Sequence, residues 1–128
     1  IGARLGGDYI TSHLVPLSTG INIEAAAVQI AMGGKMDLKQ RFSKVSIIQY
    51  LELPPGKRVE NIGNWESIFD DPKVKHAFLF VKEGDVIPEI TDSAKRPGFV
   101  IVQDDCLSDA LICAQLHTNN IIENIKVV

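Results

Sequence analysis

Apolar and polar positions along this chain change period once, and that change divides it. In residues 9–18 (YITSHLVPLS), Ile10, Leu14 and Leu17 recur at helical spacing and predict a short amphipathic helix. Pro16 strains its second half, because proline lacks a backbone N–H and its ring crowds the carbonyl four residues back. Thr19-Gly20 ends it, and Asn22 offers an N-cap for a second helix, INIEAAAVQIAMG. Ile23, Ala26, Ala27, Ile30 and Ala31 share one face of that helix, and their small size implies a close neighbour. Gly33-Gly34 terminates it.

Past a polar link at 34–43 the period shortens towards two. Residues 44–53 (KVSIIQYLEL) alternate in part and are rich in β-branched side chains, so they read as a strand. Pro54-Pro55-Gly56-Lys57 is a turn, and RVENIG returns as a second strand. NWESIFDDP reads as one or two helical turns, with Asn64 as cap and Pro72 beyond the end. VKHAFLFV (74–81) is the strongest strand pattern in the chain, and Glu83-Gly84-Asp85 turns it into Val86-Ile87 as a hairpin. Residues 91–96 are a polar loop and GFVIVQ (98–103) a further strand. Asp105 or Ser108 opens a helix through Leu107, Leu111, Ala114 and Leu116, which Asn119-Asn120 closes, and IIENIKVV ends as a short strand. The order from residue 44 is β-β-α-β-β-β-α-β, without βαβα alternation. It predicts an α+β fold, an antiparallel sheet with helices on one side, preceded by the two-helix segment.

Composition agrees with a globular chain. Of 128 residues, 45% are hydrophobic and 23% charged, so the length suffices for a core and the make-up is not that of a disordered tail. The net charge of −3 leaves no electrostatic footprint for nucleic acid. No apolar run is long enough to span a membrane, and the start has no signal-peptide pattern. Cys106 and Cys113 are seven residues apart, about 10 Å along a helix, too far for a disulfide. They read as buried free thiols, which suits a cytoplasmic location. The chain begins with Ile1 rather than Met, which reads as a processed protein or a piece of a longer one.

Candidate chemistry is sparse. His13, His76 and His117 are scattered and no CxxC is present, so the spacings match no zinc site. Ser12 and His13 are adjacent and point apart on a helix, which fails the geometry of a triad. Asp70-Asp71 and Asp104-Asp105 are turn-type pairs that capping and solvation explain, and Lys73 and Lys75 read as solvated. Arg4-Leu5-Gly6-Gly7-Asp8 differs. A guanidinium fork that matches carboxylate or phosphate oxygens stands beside two glycines that let a ligand approach the backbone. The pattern is neither a P-loop nor a dinucleotide fingerprint.

ARLGGDYITSHLVPLSTGINIEAAAVQIAMG resembles the end of an ATP-grasp domain, the superfamily of ATP-dependent carboxylate–amine ligases. Arg4 matches the family's arginine, Thr19-Gly20-Ile21-Asn22-Ile23 its turn, and Gly33 the end of its second helix. PPGKRVENI, VKEGDVI and RPGFVIVQ resemble the C-terminal subdomain of the amino-acid-ligase-like branch, so the resemblance runs along essentially the whole chain. It implies two parts, residues 1–42 as the C-terminal end of the ATP-grasp domain and residues 43–128 as a C-terminal α+β subdomain. Gly2 stands where the family has asparagine, and the metal-binding glutamate expected just before Ile1 is not in the chain.

The resemblance implies a parent enzyme that uses ATP and Mg2+ to convert a carboxylate to an acylphosphate, which an amine then displaces. Arg4 would be catalytic, holding the acylphosphate or carboxylate oxygens, and Gly6, Gly7 and Asp8 would shape the adjoining substrate loop. Partners implied are small-molecule carboxylate and amine substrates and the rest of the ATP-grasp enzyme, with the subdomain forming a cleft wall or a homodimer surface. The 128 residues alone carry neither the ATP pocket nor the metal-binding glutamate, so no metal or cofactor and no ligase activity is expected of them alone. A stand-alone small-molecule-binding module and an oligomerisation module are the competing readings. Small apolar faces on 9–33 support the latter.

Overall fold

A computed structural model describes residues 4–128 of the chain. Gly2 and the position of Ile1 lie outside the described residues. The first helix forms in two pieces. Ile10–Leu14 is a π-helical turn and Val15–Thr19 (α1) is α-helical. The N–H groups of His13 and Leu14 both reach the carbonyl of Tyr9, a widened turn placed just ahead of Pro16. Gly20, at φ 76°, ends α1. α2 (Ile23–Ala31) starts as predicted, with Asn22 Oδ1 accepting the Ala25 N–H at 2.9 Å. Its end closes with the Gly33 N–H on the Ile30 carbonyl and the Gly34 N–H on that of Gln29, a Schellman motif.

The sheet departs from the predicted chain-order pairing. β1 (Val45–Tyr50), β3 (Val74–Leu79) and β4 (Gly98–Asp104) form one antiparallel sheet in the order β1-β4-β3. β2 (Val59–Ile62) does not return onto β1. It pairs with β5 (Ile125–Val127) in a separate two-stranded sheet. The Gly84 turn forms, but Val86-Ile87 does not fold back on β3. Val86 bridges to Arg58, and the Ile87 N–H reaches the Lys57 carbonyl. Hydrophobic run length explains the difference. β4 is apolar and buried over its first five residues, GFVIV, so it takes the centre, where both faces are covered.

α3 (Leu107–Glu123) runs three residues past the predicted stop at Asn119-Asn120. Asn119 and Asn120 stay in the helix, and the Asn124 N–H closes it onto the carbonyls of Asn120 and Ile121. The helical turn at Trp65–Asp70 forms as a 3-10 turn, without a side-chain cap from Asn64. Val100 and Val102 of β4 face α3 and join Leu51, Val59, Ile68, Ala114 and Ile121 in the core. The opposite face of the sheet carries the N-terminal segment. Ser46 Oγ donates to the Leu14 carbonyl at 2.8 Å, and the Gln103 amide donates to that of Leu17. The α+β architecture with an antiparallel sheet is therefore as expected, α3 and the 3-10 turn lying on one side and the two-helix segment on the other.

Among the described residues, no single helix is long and apolar enough to cross a membrane. Ile10–Thr19 and Ile23–Ala31 pass that test only as a pair bent by 113°. Of the two thiols only Cys113 is buried; Cys106 lies exposed ahead of α3.

Candidate functional site

β3 carries a bulge. Val74 pairs with Val102 and His76 with Ile101, leaving Lys75 as the extra residue. Without it Val74 and His76 would share a face. With it Val74 faces the core, while His76, Phe78 and Phe80 face the N-terminal segment. There they meet Phe99, the buried aromatic of β4, whose ring centroid is 6.4 Å from Phe78 and 5.9 Å from Phe80. Tyr9 lies 4.4 Å from Phe99, and His13 lies edge-on at 4.5 Å from His76. The sequence separates these two histidines by 63 positions, and the fold puts them together. Phe78 and Phe80 remain 58% and 49% exposed, so this aromatic wall is open. A cleft of about 380 Å³ runs over it, lined by Tyr9, His13, His76, Phe78, Phe80 and Phe99 among others. Burial, and secondly the neighbouring His13, hold His76 below the ordinary histidine value of 6.5.

A second cleft of about 310 Å³ adjoins it, lined by Asp8, Tyr9, Tyr50, Phe80, Ser93, Ala94 and Arg96. This is where the predicted loop arrives. The loop is internally braced, with Thr11 Oγ1 donating to the Gly6 carbonyl at 2.9 Å and the Ile10 N–H to that of Gly7 at 3.1 Å. Asp8 and Tyr9 both have left-handed backbone, at φ 51° and 65°. For a non-glycine residue this costs on the order of 1–3 kcal/mol, and such strain concentrates at ligand sites. Asp8 Oδ2 stands 3.4 Å from Arg96 Nη1, and the Arg96 guanidinium lies over the Tyr50 ring, 3.8 Å from its centroid. Burial pushes the Tyr50 phenol up, partly opposed by Arg96.

Of the predicted residues, Asp8 lines this cleft, Gly6 and Gly7 form the turn leading to it, and Arg4 is exposed beyond them. Arg4 Nη1 donates to the Leu5 carbonyl at 3.2 Å, and Arg4 lines neither cleft. Arg96, Tyr50, Phe99 and His76 were missed. The GFVIVQ strand signal pointed at Phe99 only as core, and no local pattern marks the other three. The donor set suits an anion better than magnesium. The described carboxylate of the loop, Asp8, is already engaged by Arg96, whereas Mg2+ favours octahedral oxygen ligation.

The paired aspartates behave as turn and ion-pair residues. Asp104 Oδ1 accepts the Asp105 N–H, Asp104 Oδ2 stands 2.8 Å from Lys73 Nζ, and Asp105 pairs with Lys44 at 3.2 Å. Asp71 does more than cap. Its Oδ1 accepts the Lys73 N–H at 2.8 Å, while its Oδ2 meets His117 Nε2 at 2.9 Å.

The family match and the fold mark the chain as the C-terminal portion of an ATP-grasp ligase. The model of the L-amino acid ligase C-terminal domain 2 matches residues 49–121, and the chain belongs to that family. Its fold is similar to that of the L-amino acid ligase from Bacillus licheniformis, with 20% identity, a TM-score of 0.72, and coverage of 99% of this chain and 32% of that one. It is also similar to the phosphoribosylglycinamide synthetase from Anaerococcus prevotii, with 19% identity, a TM-score of 0.69, and coverage of 98% of this chain and 31% of that one. The chain thus spans about a third of the length of either structure. No curated protein sequence matches it.

Proposed function

We propose that this chain works as the C-terminal part of an ATP-dependent ligase that joins a carboxylate, through an acylphosphate, to an amine. Residues 1–42 would close the ATP-grasp domain and residues 43–128 would wall the substrate cleft. ATP and Mg2+ would be held by the rest of the parent enzyme, and the chain alone would not turn over. Small-molecule carboxylate and amine substrates would enter where the loop meets the aromatic wall. The observation that carries this reading is the Asp8–Arg96–Tyr50 junction, which fastens the Arg4-Gly6-Gly7-Asp8 loop to the family's subdomain beside an open cleft.

Arg4 would hold the acylphosphate or carboxylate oxygens, its planar fork offering two parallel hydrogen bonds to charge that develops there. Gly7 supports this role. A Cβ there would meet nothing within 4 Å, and its φ is not left-handed, so nothing among the described residues demands a glycine. The space it leaves suits a ligand approaching the backbone.

The test is phosphate release by the parent enzyme with ATP and a panel of amino acids and other carboxylates. Arg4→Ala is expected to lower kcat by roughly 10²–10³-fold, the loss typical of removing one transition-state donor. Arg4→Lys should not restore it, because an ammonium cannot reproduce the fork. Absence of ATP-dependent phosphate release with every carboxylate would end the ligase reading.

One observation favours an additional role. Val28 and Ile30 on α2 and Met32 at its C-cap are 59%, 55% and 81% exposed, apolar surface suited to the rest of the enzyme or to a second copy. Sedimentation across a concentration series of chain and parent distinguishes them. Self-association of both supports a homodimer, and self-association of the chain alone supports docking on the parent.

A further inference from the structure

On the far side of the sheet from the clefts, three side chains with metal-binding chemistry meet. Asp71 follows the 3-10 turn, and Cys113 and His117 lie one turn apart on α3, on the same helix face. One ligand atom from each lies within 4.8 Å of the others. Asp71 Oδ2 is the hub, 2.9 Å from His117 Nε2 and 3.8 Å from Cys113 Sγ. Its other oxygen is held by the Lys73 N–H, which aims Oδ2 at the pair. Cys113 and His117 are buried, whereas the Asp71 side chain is 31% exposed, which leaves a path from solvent.

We propose that Asp71, Cys113 and His117 form a binding site for a zinc-class divalent cation. Thiolate, imidazole and carboxylate are the donors zinc takes, and the thiolate selects against magnesium and calcium. Around a tetrahedral zinc such donors stand about 3.4–3.6 Å apart, from bond lengths of about 2.0–2.3 Å. The Asp71 Oδ2 separations of 2.9 Å to His117 and 3.8 Å to Cys113 bracket that spacing. Three protein ligands leave the fourth position to water. The Lys73 N–H on Asp71 Oδ1 is the outer-shell hydrogen bond that orients a ligand carboxylate.

The cluster does not read as a nucleophile. Cys113 bonds the carboxylate rather than the imidazole, and burial and Asp71 push its thiol up, away from a reactive thiolate. A cation would displace the thiol proton to solvent as the Sγ–metal bond forms. The nearby charges are Lys73, which is neutralised by Asp104 at 2.8 Å, and Asp71 itself. The metal would clip the end of the 3-10 turn to the middle of α3.

The test titrates the chain with Co2+ and then Zn2+ under anaerobic conditions. Expected are one equivalent of binding, a thiolate-to-cobalt charge-transfer band with tetrahedral d–d bands, and loss of the colour when Zn2+ is added. Cys113→Ser should abolish the charge-transfer band, and Cys106→Ser, which removes the exposed thiol, should keep it. Asp71→Asn preserves shape and is expected to weaken Co2+ binding at least tenfold, with circular dichroism reporting its fold. A rise in Tm with Zn2+ that Asp71→Asn loses is the second readout. Absence of the band in the unmutated chain, or a band lost with Cys106→Ser, would overturn the proposal.

Discussion

Residues 10–31 and residues 45–127 are built from similarly apolar sequence but bury it very differently. In the second region, alternate side chains of β4 vanish beneath α3, and Leu51, Val100, Val102 and Ile121 have no exposure at all. In the first, α2 buries Ala26 and leaves Ile30 and Ala31 exposed on the face predicted to pack. Two side-chain hydrogen bonds, from Ser46 and Gln103, tie the first region to the second. Amphipathic patterning therefore reports that a face is meant to be covered, and the fold alone tells whether this chain covers it.

The sharpest way to break the comparison is through the cores. Leu51→Ala empties a fully buried site and is expected to cost about 2–5 kcal/mol in urea unfolding. Should it cost no more than a surface change, the core described above is wrong. Gly98→Ala comes next, at about 1–3 kcal/mol by the same assay. A Cβ there would run into the Phe78 carbonyl and stand 2.7 Å from Leu51 Cδ1, at the middle of the sheet. In the N-terminal region, Ser46→Ala removes one tether and should cost about 0.5–1.5 kcal/mol, with amide exchange speeding up over residues 10–19 before β4. Ile30→Ala, on the bare face, should stay within about 0.5 kcal/mol. A larger loss would mean that α2 is covered after all.

A pH series sharpens the boundary between the regions, since His76 and His13 meet across it. His76 is held below 6.5 by burial and His13, so as pH falls the unfolded chain takes up the proton first. This contribution to stability is complete above about pH 6.5 and is lost as pH drops towards the lower value of the folded state. Asp71, lowered from 3.8 chiefly by its hydrogen bond with His117, acts in a more acidic window. Thermal midpoints of the chain and of His76→Gln should converge above neutrality and separate on mild acidification, His76→Gln being the less sensitive.

What could be read from residue order was local. Asn22 caps α2, Gly20 and Gly33 end helices, Gly84 turns the chain, and the strand read at 98–103 is marked by its apolar run at 98–102. Each depends on hydrogen bonds or backbone angles within a few residues, which is why sequence suffices. The Arg4–Asp8 loop was legible for the same reason, as residue types at short spacing. Strand partners were not, because β2 chooses β5 over β1 through contacts more than sixty residues apart. Nor was the Asn119-Asn120 continuation of α3, where a buried helix face at Thr118 and Ile121 outweighs the weak propensity of asparagine.

By itself, then, the sequence determined the Asn22 cap of α2, the glycine ends of the first two helices, the Gly84 turn and the α+β class, since short-range chemistry is complete within each stretch. Only the tertiary structure decided that one extra residue at Lys75 sends Val74 into the core and His76 to the aromatic wall. It likewise decided that Arg96 reaches Asp8 and that Asp71 gathers Cys113 and His117. Those meetings depend on register and sheet order, and these are set by which apolar faces can be buried together across the whole chain.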